Sequence, residues 1–163
     1  MDKVKIYIAS DHAGWKLKEE LKKEFNDKKL NQKFDLIDLG PEKYRGDDDY
    51  PDYAKKVAKK VSEDLSSRGI LLCGTGQGMC ITANKFKGIY ASLAYDLKSA
   101  KHLSEHDGVN VLCLPGKHIK KNKALKITKR WLKSRSKKIA ERHQRRINKI
   151  KKIEEKNFKW GYN

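Results

Sequence analysis

Val4, Ile6 and Ile8 make a short apolar run that stops at the polar turn SDHAG, residues 10–14. Leu17, Leu21 and Phe25 then recur at helical spacing, with lysine and glutamate between them. FDLIDLG (34–40) predicts a second strand, and PEKYRGDDDYPD is a polar loop with two prolines. Tyr53, Val57, Ala58, Val61 and Leu65 predict the next helix. GILLC (69–73), GIYASLA (88–94) and GVNVLCL (108–114) predict three more strands, the last two separated by a short helix around Ala100 and Leu103. Ala124, Leu125, Thr128, Trp131 and Leu132 mark another helix. A long final one is expected over about 139–155, with Ile139, His143, Ile147, Ile150 and Ile153 on its apolar side.

Strands and helices alternate, and the strands are mostly continuous apolar runs. That pattern predicts five parallel strands covered on both faces: a single three-layer, Rossmann-like α/β domain over residues 1–155, with 156–163 as a tail. In such a sheet ligands bind at the carboxyl ends of the strands. The segments expected to converge there are SDHAG, the loop through DYPDYA (49–54), CGTGQG (73–78) and the stretch around LSEHDGVN (103–110).

Length and composition narrow the setting. The chain has 163 residues, enough for one full core. No apolar stretch approaches the roughly 18 residues of a membrane span, and the first apolar run is too short and too β-branched for a signal peptide. Cys73, Cys80 and Cys113 have neither CxxC spacing nor an even count, which argues against a disulfide framework or a zinc site. A cytoplasmic protein is expected. The formal net charge of +18 favours anionic partners, but its lysines spread along every helix and are not interleaved with aromatics. No nucleic-acid-reading motif accompanies them, so nucleic acid is not the expected partner.

The candidate chemistry centres on residues 69–85, GILLCGTGQGMCITANK. Gly74, Gly76 and Gly78 are spaced GxGxG, which fits neither the dinucleotide fingerprint nor the GxxxxGK[ST] phosphate loop. Glycines nonetheless let backbone N–H groups approach a ligand, and a helix beginning near Gly78 would make an anion or oxyanion site. Thr75 adds a hydroxyl. Cys73, directly before this turn, is a candidate nucleophile, redox centre or base; Cys113 and Cys80 read as packing residues. Asp11–His12 at the first strand end, His106 between a helix and a strand, and Arg142 with Arg146 on one helical face are each weak signals alone.

In this order, SDHAG, DYPDYA, GILLCGTGQGM-ITANK, LSEHDGVNVL and ERHQRRI resemble the type B ribose-5-phosphate isomerases, from about Val4 to Glu155. The wider family includes isomerases of galactose and allose 6-phosphates. The resemblance implies an aldose–ketose isomerase of the non-oxidative pentose phosphate branch that needs no metal or organic cofactor. It further implies Cys73 as the base, Thr75 and the Gly74–Gly78 backbone around the enediolate, and His106 as the ring-opening group. Asp11 would hold sugar hydroxyls, His12 would lie near the phosphate, Tyr50 would line the site, and Arg142 and Arg146 would bind the phosphate. Those arginines reach a neighbouring subunit's site in the family, which implies a homodimer or tetramer with a last helix crossing to the partner.

This chain departs from the family pattern at several places, among them Cys80 where serine is common and Thr82 where alanine is common. His106-Asp107-Gly108 replaces the usual His-Asn-Asp, putting an acid where an asparagine meets the sugar, and Pro115-Gly116-Lys117 replaces Gly-x-Arg. Two other readings remain at this point: an isomerase of a hexose 6-phosphate, and a basic binding protein on a degenerate isomerase scaffold.

Overall fold

The computed structural model describes residues 3–26, 28–134 and 138–158. The elements, in order, are β1 (Val4–Ser10), α1 (His12–Phe25), α2 (Lys28–Asn31), β2 (Phe34–Asp38), α3 (Tyr50–Glu63) and β3 (Arg68–Cys73). They continue with α4 (Gln77–Ala83), β4 (Ala91–Leu93), α5 (Leu97–Glu105), β5 (Val111–Pro115), α6 (Lys121–Ser134) and α7 (Glu141–Asn157). All strand pairs are parallel, in the order β2-β1-β3-β5-β4.

The continuous apolar strands are explained by burial on both faces. Ile6, Ile8, Ile70, Leu72, Leu112 and Leu114 point to one side, against Leu17, Leu21 and Phe25 of α1, Leu103 of α5, and Trp131 of α6. Tyr7, Ala9, Leu71, Cys73, Val111 and Cys113 point to the other, against Tyr53, Val57 and Val61 of α3 and Met79 of α4. The expected three layers and five strands are present.

Several boundaries differ from expectation, each for a local reason. Leu65 is 58% exposed and outside α3, because the Asp64 carboxylate accepts the Ser66 amide and hydroxyl and turns the chain. β4 is only three residues long. Before it, the Asn110 side chain bonds the Tyr90 amide and the Gly88 carbonyl while the Tyr90 carbonyl accepts the Asn110 and Val111 amides, so a side chain supplies part of the pairing there. The final helix starts at Glu141 after an extended Ala140 and runs on to Asn157. It therefore absorbs the start of the expected tail; residues 159–163 lie outside the described residues. On α7 only His143 and Ile147 are buried, whereas Ile150 and Ile153 are 47% and 59% exposed.

One buried cation holds the loop that follows β2. Lys18 of α1 is fully buried; its ammonium donates to Asp38 Oδ2 at 2.6 Å and to the Pro41 carbonyl at 2.8 Å. Burial alone would push the Asp38 carboxyl up, but Lys18, Lys22 and the Gly40 amide outweigh it and hold it below its ordinary 3.8. A depressed carboxylate adds stability that is full above the unfolded value and lost as pH falls through the folded one. Lys18→Met should therefore lower the unfolding free energy near neutral pH by on the order of 3 kcal/mol, since it strands part of a buried pair. In urea titrations the gap to wild type should narrow as pH drops below 3.8.

Candidate active site

The carboxyl ends of β1, β3 and β5 and the loop after β2 form one connected surface. Asp11 follows β1 and caps α1, its Oδ1 accepting the Gly14 amide at 3.0 Å. Its own amide donates to the Leu72 carbonyl of β3. Burial is the main influence on the Asp11 carboxyl and raises it above its ordinary value, with the Gly14 amide and His12 opposing. Beyond β5, the Gly116 amide donates to the Cys73 carbonyl at 2.8 Å and the Lys117 amide to the Gly74 carbonyl at 3.0 Å. These two bonds seat Lys117 beside the Cys73 turn.

That turn is built by its glycines. Cys73 is buried, and its Sγ accepts the Gly76 amide at 3.0 Å. Gly76 has φ +75, and a Cβ there would lie 2.5 Å from Leu93 Cδ2. A Cβ on Gly78 would strike the Tyr50 ring at 2.6 Å, so Tyr50 lies flat on the first turn of α4. Gly74 is different: a Cβ there meets nothing closer than Lys117 Cδ at 3.4 Å, an ordinary contact. Its bareness serves neither the turn nor the packing. Thr75 is exposed at the mouth, its Oγ1 3.4 Å from the Gln77 amide. α4 starts at Gln77, one residue before the expected Gly78.

His12 has a partner that sequence reading missed. Asp48 Oδ1 accepts both the His12 amide and His12 Nδ1, each at 2.8 Å. The Asp48 bond raises the His12 imidazole above its ordinary 6.5, with burial opposing. Asp48 itself is pushed up by burial but held below 3.8 by the His12 amide and ring. Asp48 stands in a run of three aspartates with no spacing rule to single it out.

His106 and Asp107 are not part of this surface, which corrects their expected convergence at the carboxyl ends; Arg142 and Arg146, expected to serve a neighbouring subunit's site, are not part of it either. His106 ends α5 and precedes β5, and a connection from helix to strand lies at the amino end of a parallel strand. Asn110, four residues on, accepts the Gly69 amide at the start of β3. Cys73 is four residues further along β3, about 13 Å at ~3.3 Å per residue.

At this amino edge a second cluster forms. The His106 ring stacks on His143 of α7, centroids 4.0 Å apart at 4°, and on His102, 4.4 Å apart. Arg142 Nε donates to His143 Nε2 at 3.2 Å. Burial is the first cause that lowers the His143 imidazole, followed by the charges of His106, Arg142 and Arg146, with Asp107 opposing. His143 was legible only as an apolar-face residue, and His102 carried no signal.

A sequence model of the ribose/galactose isomerase family matches residues 6–150. Ribose-5-phosphate isomerase B of Mycobacterium tuberculosis is 32% identical over 148 residues, covering 91% of this chain and 88% of that protein. The crystal structure of ribose-5-phosphate isomerase B from Mycoplasma genitalium with bound ribulose-5-phosphate superposes with a TM-score of 0.87 at 41% identity, covering 95% of this chain and 99% of that one. The Clostridium thermocellum ribose-5-phosphate isomerase B gives 0.85 at 36% identity, covering 94% and 99%. The chain belongs to the ribose/galactose isomerase family and is an isomerase.

Gly76 and Gly74 should respond differently to a methyl group. Gly76→Ala should cost about 1–3 kcal/mol in chemical denaturation, through its positive φ and the collision with Leu93. Gly74→Ala should leave stability within about 0.5 kcal/mol, yet weaken sugar-phosphate binding in calorimetry, because the new methyl would press on the Lys117 side chain beside the turn. Equal stability losses in both variants would contradict this assignment.

Proposed function

We propose that this member of the family interconverts D-ribose 5-phosphate and D-ribulose 5-phosphate through an enediolate, in a site shared by two copies of the chain. One observation carries the reading. Cys73 and its glycine turn lie at one end of the sheet, while the cationic and histidine groups needed to complete the chemistry lie at the other. A second copy presenting its amino edge would supply His106, Asp107, Arg142 and Arg146 to Cys73. The exposed Ile150 and Ile153 on α7 fit a helix that packs on a partner. The Mycoplasma genitalium relative with bound ribulose-5-phosphate supports the substrate class.

The roles follow from the chemistry of moving a proton between C2 and C1. His106 takes the proton of the anomeric hydroxyl and returns it to the ring oxygen as the furanose opens. Cys73, as thiolate, removes the proton from C2 and delivers it to C1, while the hydroxyl proton passes from O2 to O1. The Gly74–Gly78 amides and Thr75 hold the enediolate oxygens, with the Lys117 ammonium beside them. Asp11 accepts sugar hydroxyls and Tyr50 walls the pocket. Arg142, Arg146 and His12 bind the phosphate. None of these steps calls on a metal or an organic cofactor, and the reaction belongs to the non-oxidative pentose phosphate branch in the cytoplasm. Asp107 and Gly108 at the sugar end favour a second reading, an isomerase of a hexose 6-phosphate.

With chelator present, the protein should turn over D-ribose 5-phosphate faster than D-allose or D-galactose 6-phosphate. Cys73→Ala should lower kcat by about 10²–10⁴-fold while sugar phosphate still binds. Joint replacement of Arg142 and Arg146 by alanine should raise KM sharply. Near-normal turnover of Cys73→Ala would remove the cysteine from its role, and a preference for a hexose phosphate would favour the second reading.

A further inference from the structure

His12 opens α1 at the Cys73 end of the sheet, and both of its hydrogen-bonding contacts with Asp48 use the same carboxylate oxygen. The Asp48 side chain is only 5% exposed, whereas that of His12 is 34% exposed. Binding both the amide and Nδ1 fixes the ring's position and its orientation together. It also fixes which nitrogen remains for a ligand. With Nδ1–H donating to the carboxylate, a neutral His12 presents a bare Nε2 lone pair, which repels a phosphate oxygen. Only the imidazolium has an Nε2–H to donate.

We propose that Asp48 is a positioning residue that makes His12 a phosphate-binding imidazolium, so that sugar-phosphate affinity depends on a buried carboxylate that itself touches no substrate. The inference rests on the reading that a sugar phosphate occupies this half-site. The titratable groups facing the ring are Asp48 and Asp11, both acidic, and both favour the charged ring. The raised imidazole agrees with the geometry. Because its folded value lies above 6.5, the charge persists to higher pH than in a free histidine and is lost as pH rises through the folded value. The loop that carries Asp48 begins beside Lys18, whose bond to the Pro41 carbonyl anchors it to α1. A carboxylate held by a fixed loop orders the imidazolium before substrate arrives, which reduces the cost of binding.

Asp48→Asn tests this, because the amide oxygen still accepts both bonds while the charge is gone. The measurements are an NMR titration of the His12 ring, assigned with His12→Asn, and the pH profiles of kcat and KM for ribose 5-phosphate. Inorganic phosphate serves as the probe of binding alone. In Asp48→Asn the His12 midpoint should fall. At pH about 8 the KM and the phosphate dissociation constant should rise by about tenfold, the size of one charge-assisted hydrogen bond, with kcat within about twofold. As pH falls below the His12 midpoint of both proteins, the two should converge.

An unchanged His12 midpoint, or a loss in kcat at constant KM, would overturn the proposal; the latter would place the pair at the reacting carbons. If Asp48→Asn does not fold, a His12 midpoint below 6.5 in the wild-type protein overturns it equally. A protein that turns over no sugar phosphate, yet shows an Asp48-dependent His12 midpoint and phosphate affinity, would sink the isomerase reading and leave this one standing.

Discussion

A parallel sheet has two chemically different ends, and that polarity governs this molecule. Every turn from strand to helix lies at one end, and every return from helix to strand lies at the other. Cys73, Asp11 and Lys117 follow strands, so they meet. His106 and Asp107 precede a strand, and α7 packs beside them through the His143 stack. No side-chain rotation brings the second group to the first across the length of β3. On the proposed reading, one of the two groups comes from another copy of the chain. The most hydrophobic feature left exposed on α7, Ile150 and Ile153, belongs to the same element as the arginines.

At the Cys73 end, order comes from backbone hydrogen bonds and from two charge pairs, Lys18 with Asp38 and His12 with Asp48. The Gly116 and Lys117 amides tie the β5 exit to the Cys73 turn, and the Leu72 carbonyl ties the β1 exit to β3. Lys18 anchors the β2 exit, and Asp48 closes the same loop onto His12. The result is a rim held by its own main chain, with Thr75 exposed and the His12 ring partly exposed on it. Small residues at that face permit close approach, and fixed N–H groups need no reorganisation when charge develops on an enediolate.

The fold was readable because periodicity reports burial, and burial on both faces forces the continuous apolar runs of β1, β3 and β5. Boundaries failed where a side chain replaced a ladder or turn bond, as Asn110 does before β4 and Asp64 does after α3. Within the site, Cys73 and the glycine turn were visible because a glycine-rich turn after an apolar strand has few structural uses. Asp48 was invisible: its role depends on where a loop folds back, and three neighbouring aspartates look alike in sequence. His106 was recognised as a residue but expected at the carboxyl ends with Cys73, because proximity among motifs was assumed where strand direction decides. The three-histidine stack needed α5 and α7 side by side, which no local spacing encodes.

The shared site is tested most directly by mixing two inactive variants. Cys73→Ala chains and His106→Asn chains would be unfolded together, refolded at equal ratio and assayed on ribose 5-phosphate. Random pairing makes half the dimers mixed, and each mixed dimer has one site with both wild-type groups. Turnover should therefore return to about one quarter of the wild-type value per chain. Activity no higher than that of either variant alone, with mixed dimers verified by mass spectrometry, would contradict a site built from two chains.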